Sequence, residues 1–503
     1  MGLYAFNKTV IGQKHIDDST KCEDYSASYS EEDDSYKIVV IADGHGDATC
    51  FRSDLGSQFV VETTLNCLKE FAKEATVEDS YICDALSDNE ELEPILKQLV
   101  TAIISKWYDK VHEDIDNNPI SEEELSNAGQ YKDYYLNKKH LTHIYGTTLI
   151  ACLWLKDYIL LIQQGDGRCD VFYNDGSIDQ PIPWDERCQG TFSTSMCNED
   201  VVESIRWTVI NLKEKNVIAC FLGSDGVEDS FRNNEESQEG THYFYRKLCN
   251  TFIDEEELDI DEYLSVYLRE VSASGSQDDI SVAGIFDREE LKVYREAFQK
   301  ANDRYLLEEQ CELIESKLIS MSRKHEALSR RVEKYKSDIA EKESLYKECE
   351  ILIQNKEKEI EDLAKVIAEK EQELEAKEIE REQIVQIIDE KDENANNEIF
   401  AKLKNLSSGL FNTQIKDMML SWFDDDRKFI KELTNKLMVA ESELSKMQEE
   451  KELLSNELLS LTEQHSNAFE EFNEYNGRYN NLVEEKKRII QEMDDLNPGY
   501  FEQ

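Results

Sequence analysis

Between Lys37 and Phe51 the chain reads KIVVIADGHGDATCF. Ile38 to Ala42 is an apolar run of strand length, and Asp43, Gly44, His45 and Gly46 follow at once, setting a carboxylate and an imidazole on a turn. Four other acidic clusters flank strand-like runs in the same way: KCEDYSASY with Glu23 and Asp24, QQGDGRCDVFY with Asp166, CFLGSDGVEDSF with Asp225 and Asp229, and SGSQDDISVAGIF with Asp278 and Asp279. A single Asp-Gly is an ordinary turn signal. Five acid-bearing strand ends in one region point to a chemistry that needs carboxylates together. Hard divalent cations supply it, because Mg2+ and Mn2+ take oxygen ligands and use a few protein carboxylates, whereas carboxylates gathered without cations repel and are partly protonated. Glycine beside aspartate leaves room for a carbonyl or a phosphate to come close.

The elements that position these residues occupy only part of the chain. At 503 residues it exceeds what one hydrophobic core serves, and composition changes near residue 287. Before that point lie ten of the twelve cysteines and most glycines; beyond it Glu, Lys, Leu and Ile dominate, with Pro498 the single proline. Residues 1–286 hold 56 acidic and 23 basic side chains, net −33, within a whole-chain charge of −52. That field repels nucleic acid and anionic membranes, so neither is an expected partner. The cysteines show neither CxxC pairs nor zinc spacing and read as reduced core thiols. Met1 to Val10 lacks a signal-peptide pattern and the longest apolar runs, YILLI and VIACFL, are far below a membrane span. A cytoplasmic protein is expected.

In the first 286 residues KIVVIA, TTLIACLWL, YILLIQQ, WTVINL, NVIACFLG and ISVAGIF read as buried strands. Ser53 to Ala75 and Leu92 to Asp114 have helical spacing, and Thr241 to Ser272 holds one or two more helices. The expected class is α+β, β-sheets flanked by helices, with 117–139 and 185–200 as surface insertions. Beyond it, a heptad frame runs unbroken from Ile314 to Ile388, with sixteen of its twenty-two core positions apolar and lysines at Lys342, Lys356, Lys370 and Lys377. A second frame runs from Ile430 to Leu496, interrupted chiefly by Lys451, His465 and Lys486. Repeats of this length signal coiled coil. The expected division is a globular domain over 1–286, a first coiled-coil helix over 287–391, a hinge over 392–427 and a second helix over 428–497. The heptads suit either an antiparallel hairpin or pairing with a second chain or partner protein.

The ordered set ED, DGHG, GTTL, GDGR, SDGVED and DDIS resembles the metal-dependent protein phosphatases of type 2C, over residues 1 to about 286. The resemblance implies a two-sheet β-sandwich flanked by helices in an α-β-β-α order. It also implies a Mg2+- or Mn2+-dependent hydrolysis of phosphoserine and phosphothreonine in protein substrates. Carried onto matching positions, Asp43 bridges two metal ions; Glu23 and the carbonyl of Gly44 serve one, and Asp225 and Asp278 the other. Asp24 holds a water, Asp166 and Asp229 with Asp225 match the positions for a third ion, and His45 matches the general acid. Such a site needs no serine or cysteine nucleophile.

Two departures stand out. The family's phosphate-gripping arginine, four residues before the glutamate of ED, is Ser19 here, while His15 lies eight residues before Glu23 and resembles a bacterial branch of the family with a histidine near that point. His15 is therefore the expected phosphate contact, against an ordinary surface or capping histidine. Asp279 stands where asparagine is common and adds charge close to the metals, and Arg168 is expected to tie loops together. The alternative reading is a catalytically weak pseudophosphatase whose coiled coil acts as a scaffold; the retained carboxylates favour the enzyme.

Overall fold

The computed structural model describes residues 2–77, 80–86, 89–188, 192–233, 238–254, 258–389 and 409–496. It divides into two compact units, one of residues 1–312 and 488–503, the other of 313–487.

The first unit is built on two antiparallel five-stranded sheets. Its strands are β1 (Leu3–Val10), β2 (Tyr25–Ser30), β3 (Tyr36–Ala42), β4 (Leu149–Leu155), β5 (Tyr158–Gln164), β6 (Arg168–Tyr173), β7 (Ile178–Asp179), β8 (Arg206–Asn211), β9 (Val217–Gly223) and β10 (Ile280–Asp287). One sheet runs β1-β10-β9-β6-β7 and the other β2-β3-β4-β5-β8. Period-two alternation sends Val39, Ile41, Ile150, Cys152 and Leu161 of the second sheet against Cys169, Val171, Cys220, Leu222 and Ile285 of the first, forming the layer between the sheets. Their opposite faces are covered by helices. Ser53–Ala75 packs on β3 and β4 and Asn89–Asn117 packs on Ser53–Ala75, with Val60, Leu68, Ile103 and Trp107 in one core, and Glu239–Asp254 and Ile260–Ser274 cover the other sheet through Phe244, Leu248, Phe252 and Leu268. This is the expected α-β-β-α sandwich. Strands with both faces covered are apolar throughout, which is why β3, β4 and β9 stand out in the sequence.

The runs read as buried strands lacked β1, β2, β6 and the two-residue β7, whose polar residues break the apolar run. Two segments expected as surface insertions are partly interior. Tyr135 and Ala128 are buried in the first, and Glu124 there pairs with the buried guanidinium of Arg52 at 2.8 Å. In the second, Thr194, Ser195 and Met196 are buried, and Ser195 Oγ donates to the Thr147 carbonyl. Their anchors include a side-chain ion pair in the first and side-chain bonds to main chain in the second, which leave no hydrophobic period to read.

In the second unit the helix Arg295–Asp389 and the helix Gly409–Asp495 lie antiparallel. Cross-pairs fix the direction: Lys342 with Glu457, Cys349 with the Met447 carbonyl, Lys356 with Glu443, and Lys377 with Asp426. Leu328, Ile353 and Ile367 on one helix and Leu433, Ala440 and Ala468 on the other are buried at the seam. The rods therefore close on each other within one chain. The second helix opens at Gly409, inside the segment read as a hinge; residues 392–408 of that segment lie outside the described residues.

Candidate metal centre

The five acidic stretches, far apart in sequence, come from loops at strand ends of both sheets. Asp43 follows β3, and its main chain is clamped by the GTTL motif. Its N–H donates to Thr148 Oγ1 at 3.0 Å, and its carbonyl accepts from Thr148 N and Thr147 Oγ1, both at 2.8 Å. Gly44 N–H donates to the Glu23 carbonyl at 3.2 Å. A Cβ on Gly44 would stand 2.6 Å from that oxygen and 2.9 Å from the Ser53 carbonyl, so only glycine lets the two loops meet here. Glu23 Oε1 accepts from Ser53 Oγ at 3.0 Å, at the start of the Ser53–Ala75 helix.

The carboxylates perturb one another. Asp43 and Asp225 touch carboxyl to carboxyl, and burial, then each other's charge and that of Asp24, holds Asp43 well above the usual carboxylate range. Asp225 is pushed up to about 6 by burial and by Asp166, Asp278 and Asp229, with the Asp43 contact opposing. Asp24, buried before β2, is raised by burial and by Asp279 and Asp225, while its Oδ2 has no hydrogen-bond partner. Glu23 is raised to about 7, chiefly by burial. Burial also raises Asp166, which accepts from Ser193 Oγ at 2.7 Å, and Asp229, which feels Glu228, Asp278 and Asp166. Glu23, Asp24, Asp43, Asp166, Asp225, Asp229 and Asp278 thus form one electrostatic neighbourhood. Among the described residues no group of three or more His, Cys, Asp or Glu is arranged to hold a metal ion as it stands. The donors nonetheless suit a hard cation: they are all oxygen, they raise one another's pKa, and one buried oxygen is unpartnered.

His45 sits on the same turn, its N–H donating to the Gly146 carbonyl at 3.1 Å and its ring against Gly146. Burial, then the neighbouring His143, lowers its pKa to about 4. His15, on the short helix Gln13–Asp18, places Nδ1 2.8 Å from Asp279 Oδ1 and Nε2 3.9 Å from Glu23 Oε2, so both ring nitrogens face carboxylates. Ser19 caps that helix in the left-handed conformation, φ 57°, and takes no part in the acidic cluster.

Asp279 adds its charge beside Asp24 and Glu23, as expected, but its own oxygens are taken up by the protein. Its Oδ1 accepts from Gly12 N at 2.7 Å as well as from His15, and its Oδ2 accepts from Glu23 N at 2.6 Å. It holds the loop that carries Glu23. Arg168 ties loops as expected, pairing with both oxygens of Glu228 at 2.7 and 2.9 Å and lying over the Trp184 ring. Sequence reasoning missed Ser53, Ser193, Ser224 and Ser281, whose hydroxyls support Glu23, Asp166 and Asp24. Ser224 and Ser281 stand inside the quoted SDGVED and DDIS motifs, which was the available signal.

The carboxylates thus gather at strand ends of the two-sheet sandwich. The family model for protein phosphatase 2C matches residues 11–268, and the chain belongs to that family. Among solved structures the chain is similar to the serine/threonine phosphatase Stp1 from Staphylococcus aureus, at 18% identity over 57% of this chain and 96% of that one, TM-score 0.36. It is similar also to the S. agalactiae serine/threonine phosphatase, at 14% identity over 57% and 99%, TM-score 0.34. A third is the catalytic domain of the serine threonine protein phosphatase PstP in complex with 2 manganese ions, at 13% identity over 56% and 97%, TM-score 0.33. No curated protein matches the chain.

Proposed function

We propose that this member of the protein phosphatase 2C family is an active Mg2+- or Mn2+-dependent phosphatase for phosphoserine and phosphothreonine in proteins. The observation that carries the proposal is the carboxyl-to-carboxyl contact of Asp43 with Asp225 beside the buried, unpartnered Asp24 Oδ2. A carboxylate pair this close is stable as two anions only with positive charge between them. Asp43, Asp225, Asp278, Glu23 and the Gly44 carbonyl would hold two ions, and Asp166 and Asp229 with Asp225 a third. When bound, the ions supply an activated water and offset charge on the phosphate oxygens.

The chain's own part is positioning and proton handling. Thr147 and Thr148 fix Asp43 at the end of a buried strand, so the pair cannot relax apart. Asp24 orients the attacking water through the oxygen that no protein group satisfies. His45 is the candidate proton donor to the leaving oxygen; a phosphate dianion beside it favours the charged imidazole, against the burial that lowers its pKa. His15, with its nitrogens turned to Asp279 and Glu23, orients Glu23 in this reading and does not grip the phosphate.

Purified protein with Mn2+ should hydrolyse para-nitrophenyl phosphate and a phosphothreonine peptide, and EDTA should stop it. Asp43→Asn should bring turnover to background with an unchanged far-ultraviolet circular dichroism spectrum. The pseudophosphatase reading is favoured instead if Mn2+ titrated into the wild type in a calorimeter gives no binding heat.

A further inference from the structure

The helices Ser53–Ala75 and Asn89–Asn117 leave between them an open groove of about 390 Å³ lined by Lys69, Lys73, Lys106 and Lys110 together with Thr63, Asn66 and Glu70. Four lysines meet here on a domain whose first 286 residues carry net −33. Lys106 pairs with Glu70 at 3.1 Å, Lys110 pairs with Glu62, and Lys69 lies 3.6 Å over the Tyr29 ring, a contact that leaves its ammonium donors available. Among the described residues neither Lys69 nor Lys73 has an ion-pair partner, and Lys73 is exposed. Thr63 lines the floor and is 3% exposed, its Oγ1 buried without a hydrogen-bond partner.

We propose that this groove docks a second phosphoryl group of the protein substrate, some distance along the substrate chain from the one being hydrolysed. Lysines bind phosphate as mobile point charges without fixing its orientation, which suits docking better than chemistry. On a strongly acidic domain a phosphorylated chain is repelled in general and attracted locally, so the groove sets where such a chain lies. The Ser53–Ala75 helix supplies the ruler. Ser53 touches Glu23 in the candidate metal centre, and the groove residues of the same helix centre about fifteen residues further on. At the rise of a helix that is roughly 20 Å. An extended peptide covers it in about seven residues. The proposal rests on the phosphatase reading for the identity of its ligand.

The test uses the full-length protein and labelled peptides carrying one phosphothreonine, or two separated by three or by ten residues. Binding is read by fluorescence anisotropy with Mn2+ on versions of the peptides that carry the non-hydrolysable phosphonate analogue of phosphothreonine, and turnover separately on the phosphothreonine peptides. The ten-residue pair should bind about tenfold tighter than the single phosphopeptide, the worth of one added charged hydrogen-bonding site, and the three-residue pair should gain little. Lys69→Glu with Lys73→Glu should erase the difference while leaving para-nitrophenyl phosphate turnover unchanged; Lys69→Gln with Lys73→Gln guards against a folding defect and should erase most of it. No advantage for the ten-residue pair, an advantage that survives both variants, or equal gain at both spacings overturns the proposal. So does displacement by millimolar inorganic phosphate with no peptide difference, which would make the groove a site for the free anion. Loss of para-nitrophenyl phosphate turnover with the spacing effect intact would sink the phosphatase reading and leave the groove standing.

Discussion

Asp279 uses both carboxylate oxygens on donors of the protein itself: the main-chain N–H groups of Gly12 and Glu23 and the Nδ1 of His15. Removing it leaves two N–H groups at a largely buried site without acceptors, each worth about 1–3 kcal/mol. Asp279→Ala should therefore lower unfolding free energy in metal-free buffer by roughly 2–4 kcal/mol in urea titration. A purely electrostatic role beside the metals predicts the opposite sign, because removing one of several repelling acids stabilises the metal-free fold. The Asp-Gly turns at strand ends were legible in the sequence because the type of donor and its local turn chemistry are one-dimensional facts. The posture of His15 and Asp279 was not, since it depends on a contact between residues 264 positions apart. Nor was the polar shell of Ser53, Ser193, Ser224 and Ser281: serine is common in loops, and only the folded chain shows which hydroxyl faces a carboxylate.

At the scale of elements, the helix Glu239–Asp254 is fastened to β6 by a buried charge cluster. His242 Nε2 lies 3.4 Å from Asp170 Oδ1, its Nδ1 is 4.0 Å from Glu239, and Arg246 pairs with Glu239 at 2.6 Å. Burial alone would lower the His242 pKa, but Asp170 and Glu239 outweigh it and raise it to about 9. A folded-state pKa above the unfolded one means that the contribution is complete below about pH 6.5 and is lost as pH rises through about 9. Its ceiling is roughly 3 kcal/mol. His242→Gln should thus be less stable than the wild type at pH 6.5, with the gap closing by pH 10; unfolding by urea at four pH values measures it. A gap that is constant across that range would mean that the imidazole contributes by packing alone. The helices here were legible from their periodicity, and so were the strands buried on both faces. β1 and β2 were hidden because LYAFNKTV and YSASYS mix polar residues into a sheet position that hydrogen bonding to β10 and β3 enforces.

At the scale of the whole molecule, the heptads announced a coiled coil but left its partner open, because apolar seam positions suit either a second chain or the same one. The interrupting lysines carried the missing information. Lys342 and Lys356 of the first frame meet Glu457 and Glu443 of the second helix, and Lys451 and Lys486 of the second meet Glu350 and Glu315 of the first. His325, another seam interruption, donates from Nε2 to Asn476 Oδ1 at 2.9 Å and stacks on Tyr479. Each of these five has a polar partner supplied by the antiparallel register of one chain, whereas Lys370 pairs with Glu373, and His465 stacks on Phe469, of its own helix. A closed hairpin uses its seam once, so the full-length protein should sediment as a monomer over a hundredfold range of concentration, and a concentration-dependent dimer would mean that the seam opens between chains. The charges should also be measurable. Lys342→Glu, Lys356→Glu and Lys451→Glu together set acid against Glu457, Glu443 and Glu350, replacing three weak attractions with repulsions. The summed change should lower the melting temperature of the helical signal at 222 nm in dilute buffer. In 1 M NaCl, where the screening length falls to about 3 Å, most of that loss should return. A loss that persists at high salt would assign these lysines to packing of their methylene stems along the seam and leave the register to the apolar residues alone.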